Sequence, residues 1–356
     1  MGRHPRRGVC GMSEPDISAA DAISIGSRLA GATVAAAHPA RSGGNNRVFR
    51  LEMAEGPPLA LKHYPSDGRD RLGQEYDALT FLSRHGITST PRPIAKDADA
   101  FCALYQWFDG DAAVLRPRDD DADQLADFLI ELQKLRDAEG AQTLRNASAS
   151  IFSPEEAIAQ YEQRLDGLTR ESQDHPELRT FIDRSLVPST AVAIRRLRQR
   201  YAELGRDPAA DLLPAHRALS PSDFGLHNAL RGEDGRLRFI DFEYFGWDDP
   251  VKLLSDTAIH PGSDLPATSA NRLIERLTQA FAARDDAFAI RRDVLYPVFG
   301  AIWCLIVLNA YLPESRSRRA LAAQGGDLTV RLAGQLDKAR RLHQTICQRD
   351  PDLTPR

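Results

Sequence analysis

The hydrophobic pattern of the first third of the chain predicts a small sheet with one prominent helix. Residues 48–51 (VFRL) and 59–62 (LALK) are short apolar runs typical of strands. In residues 71–85, apolar positions recur three residues apart, the period of an amphipathic helix. We therefore expect a β-rich N-terminal lobe over residues 23–108, preceded by a tail, residues 1–22, in which proline, glycine and charge predominate.

Helical periodicity dominates the remainder, residues 109–356. It is present in residues 123–135 and again in residues 176–205, with an interruption predicted around Pro188. Ser153 and Glu156 have the spacing of a capping box, which predicts a helix beginning there. This larger lobe is therefore predicted to be mostly helical.

A short hairpin is embedded in the helical lobe. Residues 229–230 begin a strand, residues 233–235 form a turn, and residues 237–240 return as the partner strand. The return brings Asp241 beside Asn228. Because one amide oxygen and one carboxylate oxygen suit a cation that prefers oxygen ligands, the pair is a candidate magnesium site.

Asp223 lies five residues before Asn228, in a loop that Gly225 allows to bend. An isolated D-x-x-x-x-N segment is more often a simple turn, since both residue types bond to their own backbone. Taken together with Asp241, however, the segment supplies the polar groups that phosphoryl transfer needs. These are a carboxylate to orient an attacking hydroxyl and two ligands to hold magnesium against phosphates.

Candidate phosphate contacts occur upstream. Residues 41–47 (RSGGNNR) form a turn in which Gly43 and Gly44 let backbone N–H groups approach phosphate oxygens, although such turns usually hold no ligand. Lys62 ends the second strand and could reach the phosphates, or it could be an ordinary solvated lysine. Glu75, near the start of the helix, could pair with Lys62 or remain a surface glutamate.

The order of these motifs resembles the aminoglycoside phosphotransferase and choline kinase group. The resemblance covers roughly residues 25–260, and the loop with Asp223 and Asp241 is its specific part. It implies an α+β, protein-kinase-like fold of two lobes, the smaller built on antiparallel strands. It also implies a small-molecule kinase that uses ATP and magnesium and phosphorylates a hydroxyl of a sugar, amino sugar or amino alcohol.

The resemblance also implies a role for individual residues. Asp223 would be the catalytic base, Asn228 and Asp241 the metal ligands, and Glu243 a further contact to metal or loop backbone. The nucleotide-binding residues would be Gly43, Gly44 and Asn46 of the turn, Lys62 and Glu75 as the phosphate-positioning pair, and Gln106 and Phe108 of an adenine-binding hinge over residues 105–108.

Two departures from the family pattern leave alternatives open. Pro221 and Ser222 stand where the family has His-Gly before the catalytic aspartate, and Leu253 replaces an aspartate. A pseudokinase that binds nucleotide without turnover is therefore the alternative function, and a helical interaction protein is a third. Asp248 and Asp249 could attract a cationic acceptor, or they could cap or support the loop.

Composition excludes some classes of partner. The 356 residues have a net charge of −4, so no overall basic field favours nucleic acid. The four scattered cysteines favour a reducing cytosol.

The N-terminus lacks the apolar stretch of a signal peptide. The apolar residues 294–312 include Pro297, Gly300 and Asn309, and we expect a buried helix there, without contact to a membrane.

Overall fold

The computed structural model describes residues 17–40, 47–313 and 327–354. Backbone contacts divide the chain into two compact units. The first unit consists of Met1–Gly73 and Arg92–Trp107, and the second of Gln74–Pro91 and Phe108–Arg356. The first is built on an antiparallel sheet and the second is mostly helical, which confirms the predicted α+β fold class.

The first unit is a five-stranded sheet with a helix against it. Its elements are α1 (Ala19–Ala30), β1 (Val34–Pro39), β2 (Arg47–Met53), β3 (Leu59–His63), β4 (Pro93–Asp97) and β5 (Cys102–Gln106), and the strand order is β1-β2-β3-β5-β4. Phe49, Leu61 and Leu104 lie opposite one another on adjacent strands, and all three are buried. This cross-strand row fixes the register, because a slip of one residue would expose it.

Helix α1 begins at Ala19, inside the range that we predicted as a tail. Ser18 accepts a hydrogen bond from the backbone of Asp21, whose side chain accepts one from Ser18 in return. This capping box satisfies two N–H groups that a helix start leaves unpaired. The charge-rich composition of the segment therefore masked a helix start.

The second unit contains helices and two small sheets. The helices are α2 (Arg71–Arg84), α3 (Asp121–Lys134), α4 (Pro154–Glu171), α5 (Pro176–Phe181), α6 (Val187–Glu203), α7 (Pro250–Ile259), α8 (Ala267–Ala282), α9 (Phe288–Leu308) and α10 (Leu328–Arg349). The strands are β6 (Asp111–Ala112), β7 (Ala218–Ser220), β8 (Ala229–Arg231), β9 (Leu237–Phe239) and β10 (Gly246–Asp248). One sheet has the order β6-β8-β9, and β7 pairs with β10.

Two local predictions had different outcomes. The helix start at Ser153 is confirmed, since its side chain accepts from the backbone of Glu156 and α4 follows. The predicted break around Pro188 is wrong, because α5 continues through a π-helical turn, Ile182–Leu186, into α6. Pro188 lies directly after the π-helical turn, where the backbone already departs from the regular i→i−4 hydrogen bonds that a proline would interrupt.

The apolar segment near residue 300 is a core helix, as predicted. In the described part of the chain, one helix, Phe288–Tyr311, is long and apolar enough to cross a membrane, but 78% of its most apolar window is buried within the protein. Helices α4, α6, α7 and α10 all pack against it. Such burial is typical of a core helix. The length and apolar composition of this helix are therefore weak evidence that it crosses a membrane.

Candidate active site

The loop that carries Asp223, the predicted catalytic residue, packs on a cluster of phenylalanines. Phe128 of α3 stacks on Phe224 with ring centroids 5.4 Å apart and packs against Phe239 at 4.5 Å. It also meets Phe242 edge-on at 6.1 Å. Because these partners flank Asp223 and Asp241 in sequence, aromatic packing sets the position of both carboxylates. The cluster explains why polar residues at this site alternate with buried aromatic ones.

The hairpin aligns the predicted metal ligands. Strands β8 and β9 pair Ala229 with Phe239, and the Ile240 N–H donates to the Asn228 carbonyl at 2.9 Å. The side-chain Nδ2 of Asn228 donates to the Asp223 carbonyl at 2.9 Å. Since Nδ2 is used in this way, the amide oxygen is the atom of Asn228 that can bind a cation.

Asp241 belongs to a cluster of three carboxylates. One oxygen from each of Glu75, Asp241 and Glu243 lies within 4.8 Å of the others. Glu75 and Glu243 are only 3% and 2% exposed, so the cluster is largely shielded from water. Asp241 also has a φ of +69°, an uncommon backbone conformation for a residue other than glycine. A magnesium ion would fit this donor set, because it prefers carboxylate and other oxygen ligands.

Glu75 reaches this cluster from the first turns of α2. The neighbouring Gln74 donates to the Phe245 carbonyl at 2.8 Å, which fixes the start of the helix. Glu75 Oε1 in turn accepts from the backbone N–H of Phe242 at 3.1 Å. The sequence predicted that Glu75 positions Lys62. That role stays a prediction, and the structure shows Glu75 bonded to the segment that carries Asp241, a contact that sequence reasoning missed.

The predicted nucleotide contacts of the first unit lie on its sheet or outside the described residues. Lys62 is on β3, is 7% exposed, and has its Nζ 5.1 Å above the ring of Tyr64. Gln106 ends β5, and its backbone N–H donates to the Arg92 carbonyl. The backbone carbonyl of Gln106 is therefore the group that could accept a hydrogen bond from the adenine amino group. Gly43, Gly44 and Asn46 lie outside the described residues.

Phe108, the last predicted hinge residue, belongs to the second unit. The guanidinium of Arg238 lies 5.8 Å from the centre of its ring. Arg238 is on β9 of the hairpin and is paired with Asp234 at 3.0 Å. This contact ties Phe108 to the hairpin, and the adenine-binding role remains a prediction.

Asp223 itself is held by two histidines that sequence reasoning missed. His227 Nε2 and His260 Nε2 each lie 3.0 Å from Asp223 Oδ1. Burial raises the pKa of Asp223, but the contacts with His227 and His260 outweigh burial and hold that pKa below its usual range. The carboxylate is therefore ionised at neutral pH, and its side chain is 38% exposed, so a small molecule can reach it.

Pro221 and Ser222 form the bend before Asp223. Ser222 has a φ of +68°, in the left-handed region that glycine adopts without strain. Its N–H donates to Ser220 Oγ at 3.0 Å, and its Oγ donates to the Ser148 carbonyl at 3.3 Å. These bonds hold serine in the conformation for which the family pattern uses glycine.

Asp248 and Asp249 are buried supports, which rules out a direct contact with an acceptor in this conformation. Asp249 accepts from the Val251 N–H at 2.7 Å, caps α7 and pairs with Arg291. Asp248, fully buried, pairs with Lys252 at 3.2 Å. Of the two alternatives left open by the sequence, the capping and supporting role is the observed one.

Comparisons with known proteins place this arrangement in a family. Residues 36–289 match the family described as the phosphotransferase enzyme family. The chain belongs to that family. It is therefore a phosphotransferase of the small-molecule kinase kind. Comparison with curated protein sequences finds no match.

Solved structures of several kinases share this fold. One is a spectinomycin phosphotransferase in complex with ADP and spectinomycin, with 13% identity, a TM-score of 0.62, and coverage of 93% of this chain and 98% of that one. Another is choline kinase from Cryptosporidium parvum Iowa II, with 14% identity, a TM-score of 0.51, and coverage of 89% and 92%. At such identities the likeness supports the fold alone.

Proposed function

We propose that this phosphotransferase moves the γ-phosphate of ATP to a hydroxyl of a small molecule, with magnesium as the cofactor. The observation that carries the proposal is the arrangement of the second unit. A single hairpin holds Asn228 and Asp241 at its base, and the Asn228 side chain bonds to the backbone of Asp223. The three polar groups that phosphoryl transfer requires are thus on adjoining backbone.

In this proposal Asp223 orients the acceptor. Its carboxylate is ionised and accessible, so it can accept a hydrogen bond from the hydroxyl and align it with the γ-phosphate. A carboxylate with a lowered pKa is a weak base. It therefore takes the proton late, as the new P–O bond forms, which suits the loose transition state of phosphoryl transfer.

Asn228 and Asp241 would hold the metal, with Glu243 beside them. Bound magnesium would neutralise charge on the phosphates. Glu75 keeps Asp241 in place through the Phe242 N–H and would also attract Lys62 toward the phosphates. Adenine would be received by backbone of residues 105–108 and the phosphates by the turn at Gly43, Gly44 and Asn46.

The acceptor class is a sugar, amino sugar or amino alcohol. Proteins of the same fold were crystallised with spectinomycin, and with AMP-PNP and hygromycin B, and another is a choline kinase. Spectinomycin, hygromycin B and choline each carry an alcohol group and a cationic or basic nitrogen. This range supports the class and does not single out an acceptor, because the phosphate machinery is common to all of them.

The first test is ATP binding by titration calorimetry, with and without magnesium. We expect magnesium-dependent binding in the wild type and its loss in Asp241→Ala. The matched control is Glu233→Ala, which removes a carboxylate from the exposed turn of the same hairpin. Equal binding by both variants would refute the metal role of Asp241. No binding by any protein would end the kinase proposal.

The second test is turnover on a panel of alcohol acceptors. Asp223→Asn should lower kcat by about 10²-fold or more, the range for loss of an acid–base group, and leave ATP affinity unchanged. Substantial turnover in that variant would show that Asp223 is not the catalytic carboxylate. Tight ATP binding by the wild type without turnover on any acceptor would instead favour the pseudokinase alternative.

A further inference from the structure

Asp223 Oδ1 is the meeting point of two imidazole rings. His227 lies in the single helical turn just after Asp223, and His260 lies at the C-terminal end of α7. Their Nε2 atoms each contact Oδ1 at 3.0 Å, and the two rings stack with centroids 4.0 Å apart and planes 6° apart. We call His227 and His260 the histidine pair.

The hydrogen-bond network determines the proton positions on the pair. An ionised carboxylate only accepts, so each Nε2 that faces Asp223 carries a proton. The Gly262 N–H donates to His260 Nδ1 at 3.0 Å, so that nitrogen carries a lone pair. His260 is therefore a neutral imidazole with its proton on Nε2. Its burial, with an 11% exposed side chain, disfavours a charged ring.

His260 is held in place from its other side. Trp303 packs edge-on against its ring with centroids 4.5 Å apart, and Trp303 Nε1 donates to Asp256 at 2.7 Å. Asp256 is in turn held by Lys252 Nζ at 2.7 Å. The orientation of the His260 ring is thus set by a buried polar network on α7 and α9 and does not depend on contacts with solvent.

Close packing also fixes the segment that follows His260. A Cβ on Gly262 would lie 3.0 Å from His227 Cγ, so a side chain there would crowd the ring. Ser263 Oγ accepts from the Leu226 N–H at 2.9 Å, which links this segment to the catalytic loop. The end of α7 and the loop after Asp223 therefore hold each other in one arrangement.

We propose that the histidine pair positions Asp223 for phosphoryl transfer by fixing Oδ1 and leaving Oδ2 for the acceptor hydroxyl. Among the described residues, Oδ2 has no hydrogen-bond partner. The pair supplies the support that is lost where Pro221 and Ser222 replace the histidine and glycine of the family pattern. This inference rests on the proposed function, since it concerns the orientation of the same catalytic carboxylate.

Two histidines and a carboxylate are also a common set of ligands for a transition metal. Two features favour the hydrogen-bonded arrangement. A metal on His260 Nε2 would require the ring proton on Nδ1, where it would face the Gly262 N–H, another donor. The rings are also nearly parallel, with centroids 4.0 Å apart, so a metal at the usual ~2.0–2.1 Å from both Nε2 atoms could not lie in the planes of both rings.

The first test is independent of any acceptor. Ring-nitrogen NMR of the ¹⁵N-labelled full-length protein should show His260 with its proton on Nε2, and that proton should be protected from exchange. The protection should disappear in Asp223→Ala, whereas the Gly262 N–H should keep the proton on Nε2. A His260 proton on Nδ1, or a spectrum unchanged by Asp223→Ala, would overturn the proposal. So would stoichiometric zinc binding that requires both histidines.

The second test separates positioning from a general structural role. His260→Leu should lower kcat by about 10- to 100-fold, the scale of a misplaced catalytic group, and leave the KM for ATP unchanged. His260→Gln should restore most of kcat, because its amide can donate from near the position of Nε2. His85→Leu, at a half-buried histidine just after α2, should have no effect. Equal losses in the Leu and Gln variants, or no loss in either, would contradict positioning.

The two tests distinguish the possible failures. A wild type that shows the NMR signature but phosphorylates no acceptor would refute the proposed function and retain the hydrogen bonds of the histidine pair. A wild type that turns over without the signature would refute the histidine pair and retain the function.

Discussion

Replacing Lys252 with methionine tests the buried charge network that lies behind the catalytic loop. The Lys252 side chain is 9% exposed, and its ammonium lies 3.2 Å from Asp248 and 2.7 Å from Asp256. Methionine keeps most of the volume and removes the charge. Asp248, whose side chain is 0% exposed, would then be a buried carboxylate without a cation.

The expected loss of stability is about 3–5 kcal/mol, the range for breaking a buried ion pair by removing one partner. Its pH dependence follows from Asp248. Burial raises the pKa of Asp248 to about 6, and Lys252 opposes that rise. A carboxyl with a raised pKa contributes stability that is fully present below its ordinary value, 3.8, and is lost as the pH rises through about 6. Without Lys252 the pKa rises further, so the variant should lose more stability at about pH 8 than at about pH 5.

Urea unfolding followed by tryptophan emission is a suitable assay, because Trp247 and Trp303 both lie in the second unit. With a slope near 3 kcal/mol per molar urea, the midpoint should fall by about 1 M or more. The control is Lys252→Met combined with Asp248→Asn. The amide oxygen can still accept from the Ile151 N–H, so most of the stability should return. A loss below about 1 kcal/mol, or one that does not change with pH, would refute the reasoning.

Three smaller predictions follow from the backbone. Ser153→Ala should destabilise the protein by about 1 kcal/mol by removing the cap of α4, whereas Ser153→Asp should keep most of the stability; both can be measured by urea unfolding. Ser222→Gly removes one side-chain hydrogen bond, from Oγ to the Ser148 carbonyl, but relieves a positive φ worth about 1 kcal/mol, so the unfolding midpoint should change little and a large loss would contradict this balance. Gly246→Ala should cost about 2 kcal/mol or more in thermal unfolding, because the new Cβ would lie 2.3 Å from a backbone carbonyl oxygen; an unchanged melting temperature would contradict it.

The catalytic hairpin could be predicted because its geometry is local. A two-stranded turn fixes which residues lie opposite, so the position of Asp241, one residue after the Ile240 that lies opposite Asn228, follows from counting along residues 228–241. Helix starts were also readable where a cap has its own spacing, as at Ser153. The start of α1 was missed because charged residues around Ser18 suggested a tail, although one of them, Asp21, completes its cap.

The histidine pair could not be predicted in full for a physical reason. His227 lies four residues after Asp223, and that spacing was available in the sequence. His260 lies 37 residues after Asp223 and reaches it only through the length and direction of α7. The same holds for Asp249 and Arg291, which are 42 residues apart and form a buried pair. Contacts of this range depend on helix packing, which no local pattern specifies.

Helix α7 connects the two departures from the family pattern. Leu253, which replaces an aspartate, is 1% exposed and belongs to the core, so no carboxylate is available at that position. The buried charges of α7 are instead Lys252 and Asp256, and Asp256 holds Trp303 against His260. The other departure is at Pro221 and Ser222, and in our proposal His260, at the end of the same helix, supplies the support for Asp223. Both changes thus alter how the catalytic loop is supported and leave Asp223, Asn228 and Asp241 in place, which favours an active kinase over a pseudokinase.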